Sequence, residues 1–187
     1  MFIQTETTPN PATLKFLPGR SVLASGTLDM PDRASAAKSV LAERLFDIPG
    51  VTGVFFGSDF ITVSKTVGEW QQLKPAILGA IMEHFMSDAP LLKESETADA
   101  PAGEDEFFDA ADADTVATIK ELIDTRVRPA VANDGGDITF RGFKDGIVYL
   151  DMKGSCSGCP SSTATLKHGI QNLLKHFVPS VVEVRPT

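Results

Sequence analysis

The sequence contains very little cysteine: two residues among 187, Cys156 and Cys159, three positions apart. A secreted domain held together by disulfides would carry more cysteines at wider spacings. That class is therefore excluded, and a reducing compartment with free thiols is expected. The sequence also has no apolar run near the roughly 20 residues that a membrane-spanning helix needs, so no membrane partner is expected.

Positive charge is scarce as well, since 17 Lys and Arg stand against 25 Asp and Glu, a net charge of −8. A surface of this sign repels phosphate backbones, which argues against binding to nucleic acid through counterion release. The first residues, Met1 to Glu6, have neither the basic and apolar pattern of a secretory signal nor an Arg-rich transit helix. A cytoplasmic location is therefore the expectation.

Residues 87–114 differ in composition from the rest of the chain. They include prolines, many acidic side chains and a single basic residue, Lys93. Self-repelling charge disfavours a packed core, so this segment is predicted to be an acidic, flexible linker. It separates an N-terminal domain, 1–86, from a C-terminal domain, 115–187.

Phe107 and Phe108 are exceptional in the linker because they are large apolar residues. They either begin the packing of the next domain, which we favour, or form a docking site for a partner.

The N-terminal domain is predicted to combine strands and helices. Strands are expected at 2–7 and 13–17, and alternating residues around Gly57-Ser58-Asp59 predict a hairpin of 51–56 with 60–65. Helices are expected between Ala37 and Ile48 and between Trp70 and Phe85, where Pro75 predicts a late start or a kink.

The C-terminal domain is predicted to run helix, strand, strand, helix, strand. The first helix spans 115–131, with Pro129 limiting its end, and strands at 137–143 and 147–152 flank the turn Lys144-Asp145-Gly146. A second helix, 160–177, and a last strand, 181–184, follow. The chain is therefore predicted to be an α+β protein of two small domains.

The two cysteines lie in the loop before the second of these helices, which reads Gly154-Ser155-Cys156-Ser157-Gly158-Cys159-Pro160-Ser161-Ser162. Small residues leave room for a bulky inorganic ligand. Proline suits the first position of a helix, so Cys159 is expected at the positive end of the helix dipole, where a thiolate is favoured.

Two residues between cysteines allow both sulfurs to reach one metal centre, as in many zinc and iron–sulfur sites. A complete site usually needs four ligands, and the histidines do not plainly supply them: His84 is expected to be a surface cap, and His168 and His176 lie on or near the end of the second helix. Two chains, each giving two thiolates, would complete the set of four ligands.

Three interpretations of the two cysteines stay open from the residues alone: an iron–sulfur cluster, a redox dithiol that cycles to a disulfide, and half of a zinc site. The redox interpretation lacks the βαβ pattern expected before its motif.

Several segments resemble the NifU C-terminal-type domain of Nfu proteins. They are the thiol loop, Asp134-Gly135-Gly136-Asp137-Ile138, Thr165-Leu166-Lys167-His168-Gly169-Ile170 and Val178-Pro179-Ser180-Val181-Val182-Glu183-Val184, in which Ser180 replaces a usual acidic residue. The first domain resembles the Nfu N-terminal domain through Phe2–Pro11, Leu14–Gly19, Val54–Gly57 and Phe60–Val63.

The resemblance implies a carrier of iron–sulfur clusters and no enzyme. The family binds a cluster, commonly 4Fe-4S, between two subunits, and the ligands map onto Cys156 and Cys159. Upstream assembly proteins are the implied donors, apo iron–sulfur proteins the implied recipients, and a homodimer the implied loaded state. The resemblance suits a bacterial cytoplasm, with the mitochondrial matrix as the alternative for a processed form. The turn Asp134-Gly135-Gly136-Asp137 is expected to join a helix to a strand rather than to touch the cluster.

Overall fold

The computed structural model describes residues 1–93, 106–157 and 160–187. Contacts divide the chain into two units, Met1–Ala100 and Pro101–Thr187. Each unit combines a sheet with helices, which confirms the predicted α+β class with two domains. Residues 94–105 of the predicted linker lie outside the described residues, so the limits of the domains stay predictions. Among the described residues, no helix combines the length and apolar character that crossing a membrane requires.

The first unit contains one antiparallel sheet in the order β1-β2-β5-β4-β3. Its strands are β1 Gln4–Thr7, β2 Thr13–Leu17, β3 Leu28–Met30, β4 Val51–Phe56 and β5 Ile61–Lys65. Two helices, α1 Val40–Phe46 and α2 Trp70–Met86, follow β3 and β5 in the chain. The predicted hairpin and helices are present. The short β3 was not predicted, and α2 begins at Trp70 despite Pro75.

A buried cluster of apolar side chains joins the sheet and helices of this unit, with Phe16, Phe56, Leu41, Ile77 and Ile81 fully buried within it. Helix α1 begins where the Ser39 side chain accepts a hydrogen bond from the Ala42 N–H at 3.3 Å, a capping arrangement that satisfies one of the free donors of a helix start.

The second unit contains a mixed sheet in the order β6-β7-β8-β9. Its strands are β6 Phe107–Phe108, β7 Gly136–Lys144, β8 Ile147–Gly154 and β9 Glu183–Pro186. Strands β7 and β8 are antiparallel, whereas the two outer pairs are parallel. Ile138, Phe140, Val148, Leu150 and Met152 are buried, as the alternating pattern predicts.

Phe107 and Phe108 begin the packing of this unit, as the favoured interpretation had it. Phe107 lies against Gly142, where an added Cβ would come within 2.5 Å of its ring, and its ring centroid lies 5.1 Å from that of Tyr149. Just before it, Glu106 accepts hydrogen bonds from the Lys120 ammonium at 2.8 and 2.9 Å. These residues fall within the segment predicted to be a linker.

The helix before β7 differs from its prediction. It starts earlier, at Ala113, and continues through Pro129 as α3 Ala113–Leu122, a π-helical turn Ile123–Val127 and α4 Arg128–Asn133. The prediction that Pro129 limits the helix is therefore wrong. Proline clashes with the carbonyl four residues before it in a regular helix. The π-helical turn changes the bonding pattern just before the proline, so that the Arg128 N–H donates to the Ile123 carbonyl, five residues back.

Helix α5, Pro160–Phe177, matches its prediction at both ends. It crosses over between the parallel strands β8 and β9, and the last strand starts two residues later than predicted. The thiol loop therefore lies in a β8–α5–β9 unit, at the carboxyl end of a strand and the amino end of a helix. Ligands commonly bind at such junctions in proteins with parallel strands.

Candidate functional site

The thiol loop connects Gly154, the last residue of β8, to Pro160, the first residue of α5. Gly154 has a φ of +67°, in the left-handed region that glycine adopts without strain, and this lets the chain leave the strand sharply. Gly158 and Cys159 lie outside the described residues. The structure thus places one of the two predicted ligands, Cys156.

Cys156 is buried, with 5% of its surface exposed. Its Sγ packs against the start of β7, where Gly136 pairs with Gly154 across the hairpin. An added Cβ at Gly136 would lie 2.8 Å from the Cys156 Sγ and 2.6 Å from the Lys153 carbonyl oxygen, and both distances are too short for real contacts. Gly136 is therefore required by a close approach of the thiol.

The Asp134-Gly135-Gly136-Asp137 turn joins α4 to β7, as predicted, and it also forms the wall behind Cys156. The feature of the sequence that could have indicated this second role is the second of the two adjacent glycines, Gly136. Gly135 has a φ of +83°, whereas Gly136 has no positive φ. A turn needed only the first glycine, so the second must be explained by something packed against it.

Hydrogen bonds fix the described part of the thiol loop, both within the loop and to its surroundings. The Ser155 backbone N–H donates to the Gly135 carbonyl at 3.3 Å, and the Ser155 hydroxyl donates to the carbonyl of Asp134. The Ser157 hydroxyl donates to the Gly154 carbonyl at 3.0 Å, and the Thr163 hydroxyl of α5 donates to the Cys156 carbonyl at 3.0 Å. The loop is thereby tied to both the turn and the helix.

Burial raises the pKa of the Cys156 thiol to about 11, and the charges of Asp134 and Asp137 act in the same direction, while a hydrogen bond with the Ser155 side chain opposes them. A buried anion loses its hydration and is repelled by nearby carboxylates. In this conformation the Cys156 thiol is therefore neutral at pH 7. The thiolate expected at the helix start is that of Cys159, which lies outside the described residues, so that expectation stays a prediction.

A carboxylate–guanidinium pair lies beside this wall. Asp137 accepts hydrogen bonds from the Arg128 guanidinium through both oxygens, at 3.0 and 3.1 Å, and from the Ile138 N–H at 2.8 Å. Asp124 also accepts from Arg128, at 3.3 Å. The hydrogen bonds to Asp137 raise the pKa of Arg128 further. Sequence analysis missed Arg128 because the nine-residue separation from Asp137 has no helical or strand period.

The histidines contribute little to this site. His168 and His176 are exposed on α5. His84, in the first unit, is 1% exposed, so its prediction as a surface cap is wrong: α2 turns this side chain toward the core. Burial, followed by the charge of Arg44, lowers the pKa of His84. Within the described ranges, no group of three or more His, Cys, Asp or Glu residues could hold a metal ion.

Two family models match the chain. A model described as scaffold protein Nfu/NifU N terminal matches residues 3–88, and one described as NifU-like domain matches residues 119–185. The second match contains the thiol loop, Gly136 and the Arg128–Asp137 pair.

Known proteins similar to the chain carry consistent names. The NFU1 iron-sulfur cluster scaffold homolog, mitochondrial, of Homo sapiens is 54% identical over 183 residues, which cover 97% of this chain and 70% of the relative. Its namesake in Drosophila sechellia is 52% identical over 98% of this chain and 64% of the relative. The chain thus spans about two thirds of the length of these relatives. A solution structure of a NifU-like protein from Saccharomyces cerevisiae is similar over 50% of this chain and 86% of that one, with 27% identity and a TM-score of 0.45.

Proposed function

Because the chain belongs to the Nfu family of iron–sulfur cluster scaffold proteins, we propose that it carries a cluster on Cys156 and Cys159 and transfers it to apo-proteins. The cluster is cargo, expected to be 4Fe-4S and shared by two copies of the chain. No reaction is catalysed in this scheme. Upstream assembly proteins load the carrier, and apo iron–sulfur proteins receive the cargo.

The observation that carries the proposal is the shortage of ligands in one chain. The sequence offers two cysteine thiols, and the described part of the chain brings together no group of three or more His, Cys, Asp or Glu side chains able to hold a metal. Cluster sites commonly use four cysteines. Two copies that meet at their thiol loops would supply that number, with no ligand needed from elsewhere.

Within each copy, the residues around the thiol have defined roles. Metal ligation requires thiolates, so loading must release the thiol protons. Cys156 is buried and neutral at rest, so its loop must open before it can bind. The hydrogen bonds from Ser155 and Thr163 hold the resting conformation, and they are the contacts that opening would break or rearrange.

A dithiol–disulfide oxidoreductase is the alternative. The chain forms a β8–α5–β9 unit in which the thiol loop links β8 to α5, and this βαβ arrangement weakens the objection from topology made on the sequence alone. The state of Cys156 argues against the alternative, because a reactive redox cysteine has a lowered pKa and partial exposure, whereas burial raises the pKa of Cys156 to about 11.

The N-terminal domain is proposed to recognise partners, since the resemblance gives it no ligand for the cluster. The location is proposed to be the bacterial cytoplasm or the mitochondrial matrix. The names of the human and fly relatives favour the second.

The test is anaerobic reconstitution of the full chain with iron and sulfide, read by Mössbauer spectroscopy, iron and sulfide analysis and mass by size exclusion. Wild type should take up a cluster and dimerise, and both Cys156→Ala and Cys159→Ala should abolish uptake. Ser157→Ala is the matched control in the same loop and should still load. A full-strength cluster in either cysteine variant would refute the ligand assignment. A wild-type monomer that takes up no iron but closes a disulfide on oxidation would favour the oxidoreductase.

A further inference from the structure

Negative charge lies unusually close to the thiol loop. Asp134 and Asp137 flank the two glycines that form the wall behind Cys156, and the Asp134 carbonyl accepts a hydrogen bond from the Ser155 hydroxyl of the loop. A cluster ligated by four thiolates is itself an anion, and its stability and reduction potential respond to the net charge around it. Bare carboxylates at this turn would therefore oppose the proposed cargo.

Asp137 is held by a guanidinium in the strongest geometry that such a pair has. Two parallel hydrogen bonds join it to Arg128, an arrangement that fixes orientation as well as adding energy. The side chain of Asp137 is 7% exposed and that of Arg128 is 32% exposed, so solvent screens the pair weakly. Lys153 lies opposite Asp137 in the hairpin register and adds a second positive charge.

Geometry connects the pair directly to the thiol. Asp137 follows Gly136, whose Cα packs against the Cys156 Sγ, and the Asp137 carboxylate also binds the N–H of Ile138 at 2.8 Å. The guanidinium thus fixes the first residues of β7 while it balances their charge. Without Arg128, Asp137 would keep Lys153 opposite it in the hairpin register but would lose the guanidinium that both of its oxygens bind.

We propose that Arg128 is a positioning residue for cluster binding: through Asp137 it holds the wall behind Cys156 and cancels the negative charge that would otherwise destabilise an anionic cluster there. This inference rests on the proposed function. It assigns a role to a residue on the helix before β7, well away in sequence from the CxxC.

The same hairpin contains a matched control. Arg141 donates one hydrogen bond to Asp151 at 3.0 Å, and the two side chains are 26% and 24% exposed, so the carboxylate of this pair is more exposed than that of Asp137. Arg141 is five residues beyond Gly136 on β7, roughly 16 Å along the strand at about 3.3 Å per residue. Arg141→Gln therefore removes a guanidinium from an ion pair of the same kind without changing the charge beside Cys156.

The experiment compares reconstituted wild type with Arg128→Gln, Asp137→Asn, the double variant Arg128→Gln/Asp137→Asn, and Arg141→Gln. Two quantities are measured: the rate at which an iron chelator removes iron, and the midpoint potential of the cluster. Thermal unfolding of each apo-protein is recorded in parallel. Arg128→Gln should lose iron about 10-fold faster than wild type, at the lower end of the effect of removing a direct partner of a metal ligand because Arg128 acts through Asp137, and its potential should fall.

The charge argument fixes the sign of the other variants. Asp137→Asn removes a carboxylate and should raise the potential, and it carries this test even where Arg128→Gln folds poorly. The double variant should return toward wild type in both measurements, and Arg141→Gln should match wild type. A purely structural role for Arg128 would move both single variants in the same direction.

Single variants that shift the potential in the same direction, or an Arg128→Gln protein that keeps its iron as wild type does, would overturn this inference and leave the carrier function intact. A wild-type chain that takes up no cluster would overturn both.

Discussion

Each end of the β7–β8 hairpin contains a glycine packed against a side chain and an Arg–Asp ion pair, but the side chain on the glycine differs. At the thiol end, defined by Gly136, Gly154 and Cys156, a glycine seats a thiol beside the Arg128–Asp137 pair. At the turn end, defined by Gly142, Tyr149 and the Asp145-Gly146 turn, a glycine seats the Phe107 ring near the Arg141–Asp151 pair. Close packing against a glycine and an Arg–Asp pair thus occur at both ends of the hairpin and are not specific to the thiol loop. In the proposed function, the thiol at one end and the aromatic ring at the other make the difference between the two ends.

The largest expected difference between the ends comes from adding one methyl group to each glycine. Gly136→Ala places its Cβ against a backbone carbonyl and the Cys156 Sγ, so we expect a loss of about 1–3 kcal/mol of unfolding free energy and no cluster after reconstitution. The nearest atoms to an added Cβ at Gly142 belong to the Phe107 ring, which is 45% exposed and can move. Gly142→Ala should unfold near wild type and load fully. Urea unfolding and iron content check both, and equal loss of iron from the two variants would contradict the comparison.

The second largest difference is expected in the alkylation rates of a thiol at each end of the hairpin. In a Cys159→Ala chain, Cys156 is the sole thiol, and at pH 8 it should react with iodoacetamide about a hundredfold more slowly than a thiol of ordinary pKa, because a pKa about 2 units higher leaves about a hundredth of the thiolate. Its rate should keep rising toward pH 11. The control is Lys144→Cys, exposed at the turn end, in a chain without other cysteines.

The raised pKa of Cys156 also predicts how the folding stability changes with pH, because proton binding and folding are linked. The folded pKa of Cys156 is raised, so the folded state favours the neutral thiol. Its contribution to stability is complete below about pH 9.0, the ordinary pKa of the thiol, and falls as the pH rises toward 11. For the alkylation experiment, equal rates for Cys156 and for the Lys144→Cys control would contradict the prediction and show that the thiol loop opens freely in the apo-protein.

A smaller effect is expected where Phe107 is removed from the turn end. Phe107→Ala vacates the space over Gly142 and loses the ring contact with Tyr149, and we expect about 1–2 kcal/mol, less than for a fully buried phenylalanine because the ring is 45% exposed. Iron content should not change. Phe108→Ala is the control. Its ring has a similar exposure, 41%, but no ring contact like that of Phe107 with Tyr149 is found in the described part of the chain, so its removal should cost less. Loss of cluster from Phe107→Ala would connect the two ends.

The smallest effect is expected at the second ion pair. Asp151→Asn removes a partly exposed partner of Arg141 and should change the unfolding free energy by no more than about 1 kcal/mol, with no change in cluster lability. Chemical denaturation and chelator kinetics measure the two quantities. A marked increase in iron loss would mean that charge acts along the whole hairpin rather than at the thiol end.

Local signals in the sequence predicted much of this unit. Helix α5 was predicted from Pro160 to Phe177 because proline at its start and an apolar stripe are local features. The turn of the hairpin was predicted from Asp145-Gly146, and both residues have positive φ, 53° and 77°, as a two-residue hairpin turn requires.

The missed features depend on partners far away in the sequence. Strand β6 has two residues and exists because Phe107 finds Gly142, 35 positions later. Strand β9 is set by its parallel register with β8 rather than by its own apolar run. The Arg128–Asp137 pair requires the π-helical turn that carries the helix past Pro129. The family resemblance indicated which loop matters, but only the packing of Cys156 against Gly136 showed the state of its thiol.

The burial of Cys156 has a further consequence for the population of binding-competent molecules. If only a fraction of chains holds its thiol loop open, the apparent affinity for cargo falls by that fraction. A cluster shared by two copies requires both loops to be open, so the fraction enters twice: a tenfold preference for the closed loop would weaken apparent binding about a hundredfold. The same preference favours release, because each emptied loop returns to its more populated closed state. A carrier built in this way holds its cargo less tightly than its ligands would allow, and recipients with permanently open sites gain the advantage.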